Sequence, residues 1–431
     1  MVFRFGALHH RSRRVLLSGG AGIAQRFLQL GASLIILPLA LHTLGVNGFG
    51  VWGAATSLAW AAGMLDLGLG GALVTLLPSV RQQGTVARDY VSACLFSGAA
   101  FGLALLAGGG LCLLLWPNLT PASSFLIAGA CLVLNIPLGL SGALWFGLQK
   151  GHAAGLWAMA QTGLMLLFVI AAAWAHTGPA AMTLAVFGAG LLANAGSMAH
   201  ALFTQPAIRP RLRPNFSVLR QALRHGGVLA LIAIAEASAF VFDNVLTLHW
   251  LGPVAAAQMA VALRICITAS GMLQVSIQAI WPEFVAAVAQ NDHGWVRRTL
   301  LRGTLTVLVL GVGGTALIVL GGNRLLTFWL HENLHIPPAL FLAVAGWVVA
   351  LNLPRVAGML LNALRAYRGQ LLAQASAAAA ALAAKPALAA AFGVAGILAS
   401  TPLATLLILC PAFGWLAWRQ LAAPSFRKPA A

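Results

Sequence analysis

Long apolar runs alternate with short polar breaks from one end of the chain to the other. The runs fall near 15–41, 49–78, 90–116, 122–146, 153–176 and 180–203. After a basic break they continue near 226–250, 255–288, 299–321, 337–362, 371–392 and 394–418. A transmembrane helix needs roughly 20 predominantly apolar residues, so each run predicts one span. The opening arginines ahead of an apolar run resemble a signal peptide. The run from Val15 to Leu41 is too long for a cleaved apolar region, however, and reads as the first span.

Composition supports that pattern. Hydrophobic residues make up 60% of the 431 and charged residues only 7%, against about 25% in a soluble domain. A water-soluble globular protein, a disordered chain and a free nucleic-acid binder are excluded together. The expected class is an all-α polytopic membrane protein of twelve transmembrane helices with no soluble domain. The 25 basic residues against 7 acidic ones give a net charge of +18, and their placement explains the surplus. The odd-numbered gaps His42–Gly48, Trp116–Pro121, His176–Pro179 and Trp250–Pro253 are nearly free of charge. The even-numbered gaps hold Arg81, Arg88 and Lys150; the cluster Arg209, Arg211, Arg213, Arg220 and Arg224; then Arg297, Arg298, Arg302, Arg365 and Arg368. With Arg4, Arg11, Arg13 and Arg14 at the start and Arg419, Arg427 and Lys428 at the end, most basic residues share one side. The positive-inside rule then puts both termini in the cytoplasm.

Two halves show in the text. Gly19-Gly20 falls on Gly226-Gly227, and His42-Thr43-Leu44-Gly45 on His249-Trp250-Leu251-Gly252, both at an offset of 207. Leu134-Asn135-Ile136-Pro137 matches Leu351-Asn352-Leu353-Pro354, and Lys150-Gly151 matches Arg368-Gly369. The division expected is a six-helix lobe over 1–205, a basic cytoplasmic linker over 206–225 and a second six-helix lobe over 226–431. Six crossings per half give the halves the same orientation, so a pseudo-symmetry axis along the membrane normal is expected, with a cavity between the lobes.

Ionisable groups at membrane depth are costly and mark pathways or internal pairs. Eight fall there: Arg26, Asp66, Glu236, Asp243, Arg264, Glu283, Arg355 and Lys385. Arg26, Gln29 and Ser33 form one polar stripe at i, i+3 and i+7. Glu236 and Asp243, seven apart, are expected on one helical face. Arg264, Thr268, Gly271 and Gln278 follow one line along their span, and Asn352 shares a face with Arg355. Arg26 and Glu236 each sit about ten residues into equivalent spans, near mid-membrane at roughly 1.5 Å of rise per residue. Two readings arise: basic groups for an anionic ligand with acidic groups for a coupling cation, or internal ion pairs that lock helices. Glu283, near the end of its span, and Lys385, ahead of Pro386, are the weakest members, and Lys385 reads as a snorkelling side chain.

Other signals carry less. His331-Glu332-Asn333-Leu334-His335 fits the pattern of a helical zinc site. Pro337 and Pro338 disfavour the helix it requires, no third ligand is at hand, and the equivalent stretch of the first half, Trp116 to Pro121, has no histidine. An interfacial loop is expected there. Five cysteines lie inside apolar runs without a CxxC pair, so neither a disulfide framework nor a thiolate metal site is expected. No phosphate-binding GxxxxGK[ST] motif is present, and no cofactor is implied.

Gly20 to Arg26, His42-Thr43-Leu44-Gly45, Phe49-Gly50-Val51-Trp52 and Leu65-Asp66-Leu67-Gly68-Leu69-Gly70 together resemble the polysaccharide transporter family. So do Leu361 to Arg365 with Gly369-Gln370, and Phe392 to Gly396. These are the Wzx-type oligosaccharide flippases of the multidrug/oligosaccharidyl-lipid/polysaccharide (MOP) exporter superfamily. The resemblance implies two six-helix lobes around a central cavity. It implies a transporter, not an enzyme, in the bacterial inner membrane, moving an undecaprenyl-pyrophosphate-linked oligosaccharide to the periplasmic leaflet for O-antigen or exopolysaccharide assembly. A polysaccharide polymerase or co-polymerase is the implied protein partner. Guanidinium forks suit a pyrophosphate, so Arg26, Arg264 and Arg355, with Gln29, are the candidate ligand residues. Glu236, Asp243 and Asp66 are candidates for proton or sodium coupling. The rival readings are a MATE-type cation/drug antiporter, a peptidoglycan-precursor flippase and, remotely, an intramembrane metalloprotease. Three arginines inside spans sit poorly with a site for organic cations.

Overall fold

The computed structural model describes residues 2–58, 68–80, 84–115, 123–211, 216–278, 284, 287–288, 290, 292–330, 336–364 and 366–422. Every regular element among them is helical. The helices are α1 (Val2–Ser57), α2 (Leu69–Val80), α3 (Gly84–Leu115), α4 (Ser123–Gly147), α5 (Gly151–Trp174), α6 (Pro179–Thr204), α7 (Phe216–Ser238), α8 (Asp243–Leu251), α9 (Pro253–Gln278), α10 (His293–Leu330), α11 (Pro338–Ala363), α12 (Tyr367–Ala404) and α13 (Cys410–Ala422). A 3-10 turn at Pro206–Ile208 follows α6, and a π-helical turn at Thr405–Leu409 joins α12 to α13.

Among the described residues, nine helical stretches are long and apolar enough to cross a membrane. Helices suit that environment because they satisfy every backbone polar group internally. Two of the nine, Ala24–Ser57 and Tyr367–Leu421, contain a glycine whose backbone is not helical. Gly393 has φ 59° and ψ −135°. Beyond it the chain doubles back, because Lys385 Nζ reaches Ser400 Oγ at 2.9 Å. Fifteen residues of straight helix would separate those positions by about 22 Å. The eleventh and twelfth runs of the sequence therefore meet at Gly393, in the gap between 392 and 394. Gly45 (φ 63°, ψ 172°) breaks α1 in the same manner, dividing the first run from the second.

The chain forms two compact units, Met1–Ala230 and Leu231–Ala431. In the first, α4 packs on α2, α3 and α6, and α1 on α5. Its core gathers Leu69, Leu73, Leu77, Leu144, Trp145 and Met198. Gly147 lets α4 approach α2 closely, since a Cβ there would lie 2.6 Å from the Leu73 carbonyl oxygen. The segment after α6 folds onto this unit. Ile208 is buried, Arg88 donates to the Pro206 carbonyl at 3.4 Å, and the Arg211 backbone N–H donates to Ser92 Oγ at 2.9 Å. Part of the basic stretch 206–225 thus lies on the first unit, and the units divide inside α7.

In the second unit α11 is the central helix, packed against α9, α10 and α12. Phe284, Val307, Val356, Leu360, Leu361 and Phe413 form its main core. In both units large apolar side chains also face outward, with Leu114 at 80% and Leu320 at 85% exposure. In water such a surface would drive aggregation; against lipid it is in its own solvent.

One expected helix is broken. The run 226–250 reads as a single span, yet α7 stops at Ser238 and α8 starts at Asp243. Residues 239–242 form a turn between them. Thr401 Oγ1 donates to the Ala239 carbonyl at 2.9 Å, filling an acceptor that the interrupted helix leaves open.

Candidate functional site

In the first unit Arg26 is half-buried and Gln29 exposed on α1, and Ser33 is buried one turn further along. The helix is regular there, so the stripe expected from their spacing forms. Gln25 Nε2 donates to Gln29 Oε1 at 3.3 Å, and Ser33 Oγ to the Gln29 carbonyl at 2.8 Å. A cavity of about 490 Å³ opens beside the Gly45 break, lined by Leu39, His42, Thr43, Ala173, Trp174 and His176. None of the residues expected to bind ligand lines it. Deeper in this unit, Asn194 Nδ2 donates to Asn135 Oδ1 at 2.8 Å and ties α6 to α4.

The second unit holds the charged geometry. Arg355, on α11, is half-buried. Its Nε donates to the Leu351 carbonyl at 3.1 Å, and its Nη2 lies 2.8 Å from Glu236 Oε1 on α7. The two side chains are 29% and 36% exposed, so this ion pair has solvent access in the isolated chain. One turn before Arg355, Asn352 is fully buried; its Nδ2 donates to Ser270 Oγ on α9 at 2.9 Å and to the Val348 carbonyl at 2.7 Å. Arg264 is half-buried on α9, and Gln278, at the end of its line, has no described side chain.

A second ion pair is wholly enclosed. Lys385 Nζ lies 2.6 Å from Asp243 Oδ1, with no exposure of either side chain. Asp243 opens α8 just after the break, where an acidic group meets the positive end of the helix dipole. Lys385 also donates to Ser400 Oγ from across the Gly393 reversal. Asp243 Oδ2 and Asn244 Oδ1 are buried without a hydrogen-bond partner among the described residues.

Glu236 and Asp243, expected on one helical face, lie in helices separated by the turn at 239–242, and each meets a different basic partner. Lys385 does not snorkel; it is among the largest fully buried side chains of the chain. Asp66, Glu283 and the His331–His335 motif lie outside the described residues. Among those described, no three His, Cys, Asp or Glu side chains converge as metal ligands. Cys94, Cys131 and Cys266 are buried and Cys410 is half-buried, none of them in a disulfide.

The fold has solved counterparts. An inward-facing multidrug resistance MATE family transporter of the MOP superfamily superposes with a TM-score of 0.77 at 14% identity, over 94% of this chain and 96% of that one. The chain has the fold of the MOP-superfamily transporters. A lipid II flippase, MurJ, in an inward closed conformation matches with a TM-score of 0.69 at 11% identity, over 95% of this chain and 88% of its own. A MOP superfamily transporter from Pyrococcus furiosus, described as having a binding pocket of reversed polarity, matches with a TM-score of 0.65 at 12% identity, over 96% and 95% of the two chains. No protein-family model matches the sequence, and a search of curated proteins returns no match. With its long apolar helices the chain is a multi-pass membrane protein, and the structural counterparts named above are transporters and a flippase.

Proposed function

We propose that this protein flips an undecaprenyl-pyrophosphate-linked oligosaccharide from the cytoplasmic to the periplasmic leaflet of a bacterial inner membrane. It does so by alternating access, coupled to an ion gradient, as the Wzx-type step of O-antigen or exopolysaccharide assembly. Both termini face the cytoplasm, and a polymerase or co-polymerase takes the product.

One observation carries the preference for an anionic cargo. Both acidic groups described at membrane depth already hold a basic partner, Glu236 with Arg355 at 2.8 Å and Asp243 with Lys385 at 2.6 Å. A site for an organic cation needs a carboxylate whose charge is unbalanced, and here a basic side chain balances each of the two. Arg26 and Arg264 bring guanidinium groups suited to bidentate contact with a pyrophosphate. Arg355 and Gln29 complete the proposed ligand set. Glu236, Asp243 and Asp66 are the proposed coupling groups, through binding that differs between the two facing states.

The fold supports a second reading equally, a cation/drug antiporter of the MATE type, since the MATE transporter above shares nearly the whole architecture. A peptidoglycan-precursor flippase is chemically nearer, because its cargo also carries a pyrophosphate. Arginine substitution separates anionic from cationic cargo. In proteoliposomes carrying a short lipid-linked sugar, Arg26→Ala and Arg264→Ala should each slow flipping at normal protein levels. Full activity in both variants would refute the anion-binding assignment.

A further inference from the structure

We propose that the Lys385 ammonium occupies, as part of the chain itself, a seat that would otherwise take a monovalent metal cation. Asp243 is thereby closed to sodium. This rests on the ion-coupled reading of Asp243 and narrows it: the charge that balances this carboxylate is carried by a side chain.

The argument starts from the atoms around Nζ. Asp243 Oδ1 lies at 2.6 Å and Ser400 Oγ at 2.9 Å. At the start of the same helix, Asp243 Oδ2 and Asn244 Oδ1 are buried with no hydrogen-bond donor among the described residues. A leftover acceptor in a dry interior is expensive, and structures seldom keep two on adjacent residues without purpose. Oxygen atoms bearing one negative charge are what a hard cation requires. Cys266 on α9, close enough to interact electrostatically with Asp243, and Thr247, whose Oγ1 donates to the Asp243 carbonyl at 2.6 Å, add no charge of either sign.

The backbone has the matching form. The span is interrupted at 239–242, directly before Asp243, and the opposite wall comes from the two arms that meet at Gly393. Interrupted membrane helices supply carbonyls and helix ends to ion sites. Here Thr401 Oγ1 takes up the Ala239 carbonyl and Lys385 supplies the positive charge. A pair that merely fastened helices would need neither the interruption nor the spare oxygens.

The two roles separate when the ammonium is removed. Lys385→Ser leaves a short hydroxyl and a channel-shaped space ending at Asp243 and Ser400. Its carboxylate then needs a partner. Lys385→Ser/Asp243→Asn needs none. The full-length variants and the wild type would be solubilised and purified in parallel in sodium chloride and in choline chloride. Recovery of monodisperse protein and thermal midpoint are the readouts. Wild type should be indifferent to the exchange, and so should the double variant. Lys385→Ser should be recovered better in sodium, with a midpoint rising on the order of 5 °C between low and high millimolar sodium, as mass-action binding demands.

A sodium-dependent midpoint in the wild type would overturn the proposal. So would equal behaviour of Lys385→Ser in the two salts, including failure in both. Loss of the double variant in both salts would also count against it, since the ammonium would then be needed for more than the charge of Asp243. Because these readouts are stability and recovery, failure here leaves the cargo assignment standing, and failure of the flipping assay leaves this result standing.

Discussion

Gly45 and Gly252, which occupy the same place in the two repeats, adopt the same rare backbone conformation: φ 63°, ψ 172° and φ 87°, ψ 179°. Only glycine enters this region without strain. The weak textual match of His42-Thr43-Leu44-Gly45 with His249-Trp250-Leu251-Gly252 thus has a physical cause. Each half turns from one helix to the next on a glycine that no other residue replaces comfortably.

Replacing either glycine with alanine should destabilise the protein by about 1–3 kcal/mol. No atom lies within 4 Å of the added Cβ at either site, so the loss is backbone strain and not collision. Gly31→Ala, equally open but helical, serves as the control and should be neutral or slightly stabilising. Thermal midpoints of the three variants in detergent check this. Equal midpoints for Gly45→Ala and Gly31→Ala would remove the argument.

Gly147 tests packing instead. A Cβ there would stand 2.6 Å from the backbone carbonyl of Leu73, which cannot swing aside as a side chain could. Gly147→Ala should cost about 1–3 kcal/mol through overpacking of the α2–α4 contact. The same melting assay reads it.

The enclosed pair lends itself to a double-mutant cycle. Asp243→Asn or Lys385→Met alone strands a buried charge and should lose about 3–5 kcal/mol. Combining them should recover most of that loss. Additive effects in the unfolding midpoints would mean the two groups do not act as a pair.

The half-exposed pair should behave differently. Glu236→Gln should alter stability by no more than about 1 kcal/mol and leave Arg355 available for an anionic cargo, so flipping without a gradient persists while its stimulation by an ion gradient is weakened. Arg355→Gln removes a charged hydrogen-bonding group worth about 1.5–3 kcal/mol, equivalent to about a ten- to hundredfold loss of rate. Initial rates in proteoliposomes decide between this outcome and a pair whose two variants are equally damaging.

Much of the architecture was legible because it depends on local signals. The apolar runs, the glycine at 393 and the repeated histidine-to-glycine segment each mark an element from its own residues. The interruption of the seventh span was not legible. Ala237 to Phe242 contains neither proline nor glycine, and the turn is held by Thr401, which arrives from α12. Lys385 misled for the same reason. Its sequence neighbours are alanines and a proline, which say nothing of a carboxylate brought from α8 or a hydroxyl returned across Gly393. The charged residues at membrane depth could be picked out by cost alone, whereas their pairing depends on contacts between distant segments.

The most direct test of the cargo assignment is reconstitution in liposomes with an undecaprenyl-pyrophosphate-linked short oligosaccharide on one arm and a lipophilic cationic dye on the other. Each would be followed with and without an imposed ion gradient. The account predicts gradient-stimulated protection of the lipid-linked sugar, lost in Arg26→Ala, and no movement of the dye. Gradient-driven dye efflux with the sugar left in place would contradict it and point to the antiporter.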